Sequence, residues 1–255
     1  MFDTLENRMK GYEKQTNFKL VSGVPVIGRV DGKNFSKFTK SLKKEANSPW
    51  NEKFVLAMAV GAIVGCQEIQ GCKMAYVQSD EISFLITDTE SEQTQPYFGY
   101  KTRKMNSVIA SAVAVEFYAA LVMSDPSLAD SRPKFDSRFW NLPEHEVVNA
   151  FVWRQQDALR NSVSMYARHY FSHKECNGRT VLQMKEMLRN NGTPWEDVPS
   201  HFQKGFTVTR KSFEEPVTFM KHGAKETVIA KRNRWTIDWE IPLFKEDREY
   251  VSRFL

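Results

Sequence analysis

The apolar run Val24-Pro25-Val26-Ile27-Gly28-Arg29-Val30 predicts a core strand that ends at an Asp31-Gly32 turn. Upstream, Phe2, Leu5, Met9 and Tyr12 are scattered among polar residues as in a short amphipathic helix. Downstream, Phe35 and Phe38 sit three apart, as on one helix face. Ser48-Pro49 has the form of a helix start, with serine as cap and proline at the first helical position. That helix is expected to run to about residue 70 and stop at Gly71. Its small, apolar middle (Ala57, Ala59, Gly61, Ala62, Gly65) suits close packing on a sheet. Residues 73–77 and 82–87 predict a β-hairpin whose turn carries the adjacent carboxylates Asp80 and Glu81. A long apolar-faced helix over 101–123 follows, and then the alternating strand Phe135-Asp136-Ser137-Arg138-Phe139. The order β-α-β-β-α-β implies an α+β fold of the ferredoxin-like kind, an antiparallel sheet with helices on one face.

A further helix is expected from 141–143 to about 170, with Arg154, Asp157 and Asn161 on one face at i, i+3 and i+7. Another ends near 190–192, and Thr193-Pro194-Trp195-Glu196 reads as a capping box opening a short helix that closes at Gly205. Residues 206–210, 217–220 and 227–230 read as short strands, in a tail made basic and aromatic by Arg232, Arg234, Trp235 and Trp239. The expected organisation is one compact unit: a core over 1–140, a helical insertion with the final core strand over 141–210, and a short β-rich C-terminal tail over 211–255.

Composition narrows the class. A chain of 255 residues suits one large domain or two small ones, and 41% apolar with 26% charged residues argues against global disorder. A net charge of +5 is compatible with a polyanionic partner without requiring one. Three cysteines with no CxxC pair argue against a disulfide framework or zinc knuckle, so a reducing cytoplasm is expected. The acidic N-terminus lacks the apolar core of a signal peptide, and the longest apolar run, 54–66, falls short of the roughly 18 residues of a membrane span. No membrane partner is expected.

Two acidic turns at the ends of apolar strands suit a hard cation, since Mg²⁺ takes oxygens from one or two carboxylates and leaves room for substrate phosphates. If Asp31 and Asp80 face each other across neighbouring strands, they and the Gly32 carbonyl could hold two Mg²⁺ ions. Such a pair stabilises the attacking and leaving oxygens of an in-line phosphoryl transfer. Ser79 could donate to a phosphate oxygen. Lys37, Lys40, Lys43 and Lys44 form a basic segment in which a solvated face accounts for most members and one near the site could meet phosphate. Asp31-Gly32 as a plain turn and Asp80 as a plain hairpin residue fit the same pattern, and residue types alone leave both readings open. No P-loop, dinucleotide fingerprint, HExxH pattern or nucleophile elbow is present.

Four segments in order, Arg29-Val30-Asp31-Gly32-Lys33-Asn34-Phe35, Gln78-Ser79-Asp80-Glu81, Phe135-Asp136-Ser137-Arg138 and Trp153-Arg154-Gln155-Gln156-Asp157, resemble the tRNA(His) guanylyltransferase family. The resemblance is closest to its guanylyltransferase-like bacterial, archaeal and phage members and covers about residues 5–210. It implies a polymerase-like palm and a 3′-to-5′ polymerase that adds nucleotides to the 5′ end of tRNA after ATP or GTP activates the 5′-phosphate. It implies two Mg²⁺ ions held by Asp31, the Gly32 carbonyl and Asp80, with Glu81 and Ser79 beside them. It places Lys33, Asn34, Phe35, Lys44, Arg138 and Asn161 with nucleotide or phosphate. It places Arg154, Asp157, His173, Lys174 and Lys204 with nucleotide or tRNA positioning. It also implies a homotetramer built as a dimer of dimers. Eukaryotic members carry a histidine-asparagine block where this chain reads Leu159-Arg160-Asn161-Ser162-Val163, which favours repair of truncated tRNA 5′ ends over selection of the histidine tRNA. A palm-type nucleotide cyclase and a non-catalytic RNA-binding module are the rival readings.

Overall fold

In the computed structural model, which describes residues 4–42, 48–91, 93–221 and 224–255, the chain opens with helix α1 (Leu5–Lys14) and then strand β1 (Val26–Gly32). Helices α2 (Phe35–Ser41) and α3 (Glu52–Glu68) lead to the hairpin β2 (Cys72–Gln78) and β3 (Glu81–Ile86). Helix α4 (Thr102–Ser124) and strand β4 (Phe135–Asn141) complete the expected β-α-β-β-α-β order, with β1 between β3 and β4. The long α5 (Glu144–Tyr170), the short α6 (His173–Cys176), α7 (Val181–Asn190) and α8 (Ser200–Lys204) follow. Two long strands, β5 (Phe206–Lys221) and β6 (Ala224–Asp238), and the short α9 (Glu249–Ser252) end the chain. The antiparallel sheet runs β4-β1-β3-β2-β5-β6.

Period-2 alternation sends each strand's side chains to two faces. Val26, Val30, Ala75, Val77, Ile82, Phe84 and Ile86 share one buried cluster with α3 and α4. Small residues let these layers close up. A Cβ on Gly65 would lie 2.5 Å from the Phe84 ring, and one on Gly61 would lie 3.2 Å from Val113 of α4. Among the described residues α4 is the helix long and apolar enough to cross a membrane, with 23 residues and an 18-residue stretch of mean hydropathy 1.8. Its stripe Met105, Ile109, Val113, Phe117 and Leu121 is fully buried in the α3 side of the core. The opposite sheet face (Ile27, Met74, Tyr76, Leu85) packs on Val147, Val148 and Phe151 of α5 and on Ile241, Phe244, Tyr250 and Val251.

Four boundaries differ from expectation. Helix α3 is capped by Asn51, whose side chain accepts from the Phe54 N–H at 2.9 Å, and Ser48-Pro49 lies before it. Asparagine satisfies an orphan N–H as well as serine does, so either residue could have opened the helix. Thr193 does not cap: its hydroxyl turns back to the Leu188 carbonyl, and only a 3₁₀ turn at Trp195–Asp197 follows. The three short strands of the tail are one hairpin, paired without interruption from Thr207–Asp238 to Lys221–Ala224. The boundary at residue 210 therefore falls inside β5. Residues 239–255, expected to be part of a β-rich tail, contain no strand and supply Ile241, Phe244 and Val251 to the second core. Buried Gln155 fixes that segment, donating to the Pro242 carbonyl at 3.0 Å and accepting from the Phe244 N–H at 2.7 Å.

Gly65→Val should lower stability by about 2–3 kcal/mol in urea unfolding, because the fully buried Phe84 ring has nowhere to retreat. Gly11→Ala, where a Cβ meets nothing within 4 Å, should not lower it.

Candidate active site

The sheet register assembles a graded surface on its α5 side. Residues directly opposite on paired strands share a face. The first rung across β4, β1, β3 and β2 is Asp136, Asp31, Glu81 and Gln78. The next is Arg138, Arg29, Ser83 and Tyr76, and the third is Trp140, Ile27, Leu85 and Met74. Acids lie at the end of the sheet, arginines one step in, and apolar residues behind them.

The two acidic turns do meet. The Gly32 N–H donates to the Asp80 carbonyl at 3.0 Å, and Ser79, with φ of 51°, forms the tight β2–β3 turn that presents Asp80. Burial pushes the Asp80 carboxyl up to about 6; the Asp31 charge adds to this, and hydrogen bonds from the turn backbone and Ser79 oppose it. Burial also raises Asp31, with further push from Glu81 and Asp136. Among the described residues neither Asp31 nor Asp80 has a cation within salt-bridge distance. Nor do three acidic, histidine or cysteine side chains there converge as a closed metal cage. Two under-compensated carboxylates in a site open to further oxygens fit a divalent cation that completes its shell from water and phosphate.

Glu81 is built differently. Its carboxylate accepts from Arg154 Nε at 2.7 Å and Arg154 Nη2 at 2.6 Å, receives Ser83 Oγ at 3.2 Å, and lies 3.4 Å from Arg29 Nε. Those contacts occupy both oxygens, so Glu81 serves as an internal anion rather than a free base. Burial works against the Arg154 charge, but Glu81 and Asp157 outweigh it and hold the guanidinium above its ordinary value. The expected polar stripe is therefore real: Asp157 accepts from Arg154 at 3.1 Å, Arg160 at 2.9 Å and Asn161 at 3.5 Å.

Other expected residues are less uniform. Arg138 stands at the mouth, half exposed and 3.4 Å from Asp136. Lys33 and Asn34 are exposed in the turn after β1, Asn34 with φ of 61°. The Phe35 ring cannot contact nucleotide: it is 2% exposed and packed against Phe38, Phe54, Phe117 and Phe135. That ring also explains Gly32, whose absent Cβ would overlap it. Lys44 lies outside the described residues. Lys204 precedes β5 at the same end of the sheet; its carbonyl takes the Tyr76 hydroxyl at 2.7 Å, and β5 lies three strand spacings, roughly 14 Å, from β1. His173 and Lys174 follow the far end of α5, roughly 24 Å along the axis from Arg154, and do not join the carboxylates within one chain. Sequence reasoning missed Arg29, Ser83 and Asp136 as site members, although the alternations Ile27-Arg29-Asp31 and Trp140-Arg138-Asp136 carry the signal.

The family model for tRNAHis guanylyltransferase matches residues 6–143, from α1 to the end of β4. The chain belongs to the tRNAHis guanylyltransferase family. Members of this family are nucleotidyltransferases. The tRNA(His) guanylyltransferase of Schizosaccharomyces pombe is 31% identical over 186 residues, 71% of this chain and 66% of that one. A solved bacterial tRNA(His) guanylyltransferase-like protein in complex with ATP superposes with a TM-score of 0.85 at 34% identity, over 98% of both chains. A second, in complex with GTP, gives 0.79 at 32% identity over 99% of both. The likeness thus extends through the β5–β6 ribbon, past the residue 210 limit of the motif resemblance.

Because Asp80 titrates higher folded than unfolded, its protonation favours folding: that contribution is full below about pH 4 and is lost as pH rises through about 6. A rise from 3.8 to about 6 corresponds to about 3 kcal/mol. Asp80→Asn should therefore stabilise cation-free protein by about 1–3 kcal/mol at pH 8, with the gain vanishing near pH 4, in urea unfolding with chelator present.

Proposed function

We propose that this chain is a tRNA 5′-end nucleotidyltransferase working in the 3′-to-5′ direction, adding GMP in particular and serving mainly to repair truncated tRNA 5′ ends. The observation that carries the reading is the pair Asp31 and Asp80, brought together at the sheet end and left short of positive charge. Family membership and the similarity to bacterial proteins in complex with ATP and with GTP support nucleoside triphosphates as substrates.

Asp31, Asp80 and the Gly32 carbonyl are the groups that would hold Mg²⁺. When bound, Mg²⁺ would neutralise phosphate charge and lower the cost of developing charge on the reacting oxygens. The chain's own residues do the positioning. Lys33, Asn34 and Ser79 are the polar groups beside the carboxylates, and Arg138 offers an exposed guanidinium to phosphate one rung inward. Arg154 and Asp157 tie α5 to the sheet, so nucleotide or RNA lying along α5 is fixed relative to the reacting phosphate. In the first step the 5′-phosphate would attack the α-phosphate of ATP or GTP with pyrophosphate leaving. In the second, the 3′-hydroxyl of the incoming nucleotide would attack the activated 5′-phosphate and the nucleoside monophosphate would leave. We also infer a homotetramer, a dimer of dimers: Leu5, Met9 and Tyr12 of α1 and Phe213, Phe219 and Ile229 of the ribbon stand exposed on a single chain.

Purified protein with Mg²⁺, ATP and GTP should extend a 5′-truncated tRNA, and more efficiently than it modifies full-length histidine tRNA in a parallel reaction. Asp31→Asn and Asp80→Asn should each reduce addition by at least about a thousandfold while remaining folded. Cyclic nucleotide formed from free ATP or GTP, with no RNA extension, would overturn the reading in favour of a cyclase.

A further inference from the structure

Arg29 carries a buried, unpartnered Nε two residues from Asp31. It lies on β1 two residues before Asp31, on the same face, about 7 Å away along the strand. A flexible arginine side chain spans that distance. Its Nε is buried and has no hydrogen-bond partner, because Arg154 already holds Glu81 in a bidentate grip and leaves Arg29 at 3.4 Å from one oxygen. Asp31 attracts this guanidinium as well as Glu81 does, and a swing toward Asp31 would fill the place a divalent cation needs.

Two indoles hold it in place instead. The Arg29 guanidinium carbon lies 5.5 Å from the Trp140 ring centre and 5.2 Å from that of Trp153, and Arg154 lies 4.7 Å from Trp153. All three are within cation–π range. Trp153 is 52% exposed, so packing alone does not account for an indole at this place on α5. Cation–π attraction compensates Arg29 where hydrogen bonds do not, and the ring planes restrict its swing.

We propose that Trp153, with Trp140, is a positioning residue that holds Arg29 away from Asp31 and Asp80 and thereby keeps the carboxylate pair available to a divalent cation. This rests on reading Asp31 and Asp80 as the cation site. The tryptophans touch no reacting atom; they act through Arg29. Since α5 carries Trp153, Arg154 and Asp157, its docking on the sheet sets the cation affinity of two turns at the strand ends.

The test is Mn²⁺ binding to the full chain, followed by the loss of the free-ion paramagnetic resonance signal. Trp153→Leu should weaken binding about tenfold, equivalent to about 1.4 kcal/mol and within the range of a partly buried cation–π contact. Trp153→Phe should retain most of the affinity. Trp153→Leu combined with Arg29→Met should return to wild-type affinity, and Arg29→Met alone should bind at least as tightly as wild type. Unchanged binding in Trp153→Leu overturns the inference, and so does a double variant as weak as the single one, which would make Trp153 a plain structural support. Weaker binding in Arg29→Met also overturns it. No Mn²⁺ binding by the wild type would overturn the cation site itself, an outcome distinct from a wild type that binds and a Trp153→Leu variant that binds equally.

Discussion

The buried ion pair between Glu81 and Arg154 is the interaction on which the rest of the site depends. It joins the first residue of β3 to the middle of α5, with both side chains about one-tenth exposed. A pair of this kind contributes little net stability, because desolvating two ions offsets most of their attraction. Breaking it by removing one partner costs about 3–5 kcal/mol, since the other charge is left buried and alone. That asymmetry makes it a device for registry: α5 can dock in one place only. The same pair uses up Glu81, which leaves Arg29 with an ion-pair distance but no hydrogen bond, and it orients Asp157 toward Arg160 and Asn161.

Much of the fold was legible because its elements bury one face each. The small residues of α3 and the long apolar run of α4 state their helices in the sequence, but which stripe α4 buries (Ile109, Val113, Phe117 and Leu121) came only with the structure. The ribbon was not legible for the converse reason. From Arg210 to Trp235 it has little beneath either face, so no alternation marks it, and Pro216 sits inside β5, where proline usually argues against a strand. An edge position tolerates it. Asn51 was passed over because Ser48-Pro49 offered an equally sound start three residues earlier.

The site was legible in its residue types and not in its register. Asp31 and Asp80 could be nominated from two turns, and the local hairpin fixes how β2 meets β3. How β1 meets β3 and β4 is decided by contacts 50 to 115 residues apart, and a one-residue slip would put every acid on the opposite face. For that reason Arg29, Ser83 and Asp136 emerged only from the rungs. The burial of the Phe35 ring was hidden for a related reason: the five phenylalanine rings that gather beneath the turn come from segments far apart in the chain.

The length of α5 limits what a substrate can be. Its N-terminal half locks onto the sheet at Arg154 and onto the segment after β6 at Gln155, and its C-terminal half carries the small cluster of Val163, Ala167, Met184, Leu188 and Trp195. Exposed His173 and Lys174 lie just beyond that end. The roughly 24 Å of helix between Arg154 and Tyr170 equals about seven base-pair rises at 3.4 Å each. A mononucleotide at Asp31 and Asp80 cannot reach those groups in the same chain. A substrate that uses both ends must be a long polyanion lying beside α5, and the rigidity of that helix would then set which phosphate arrives at the carboxylates.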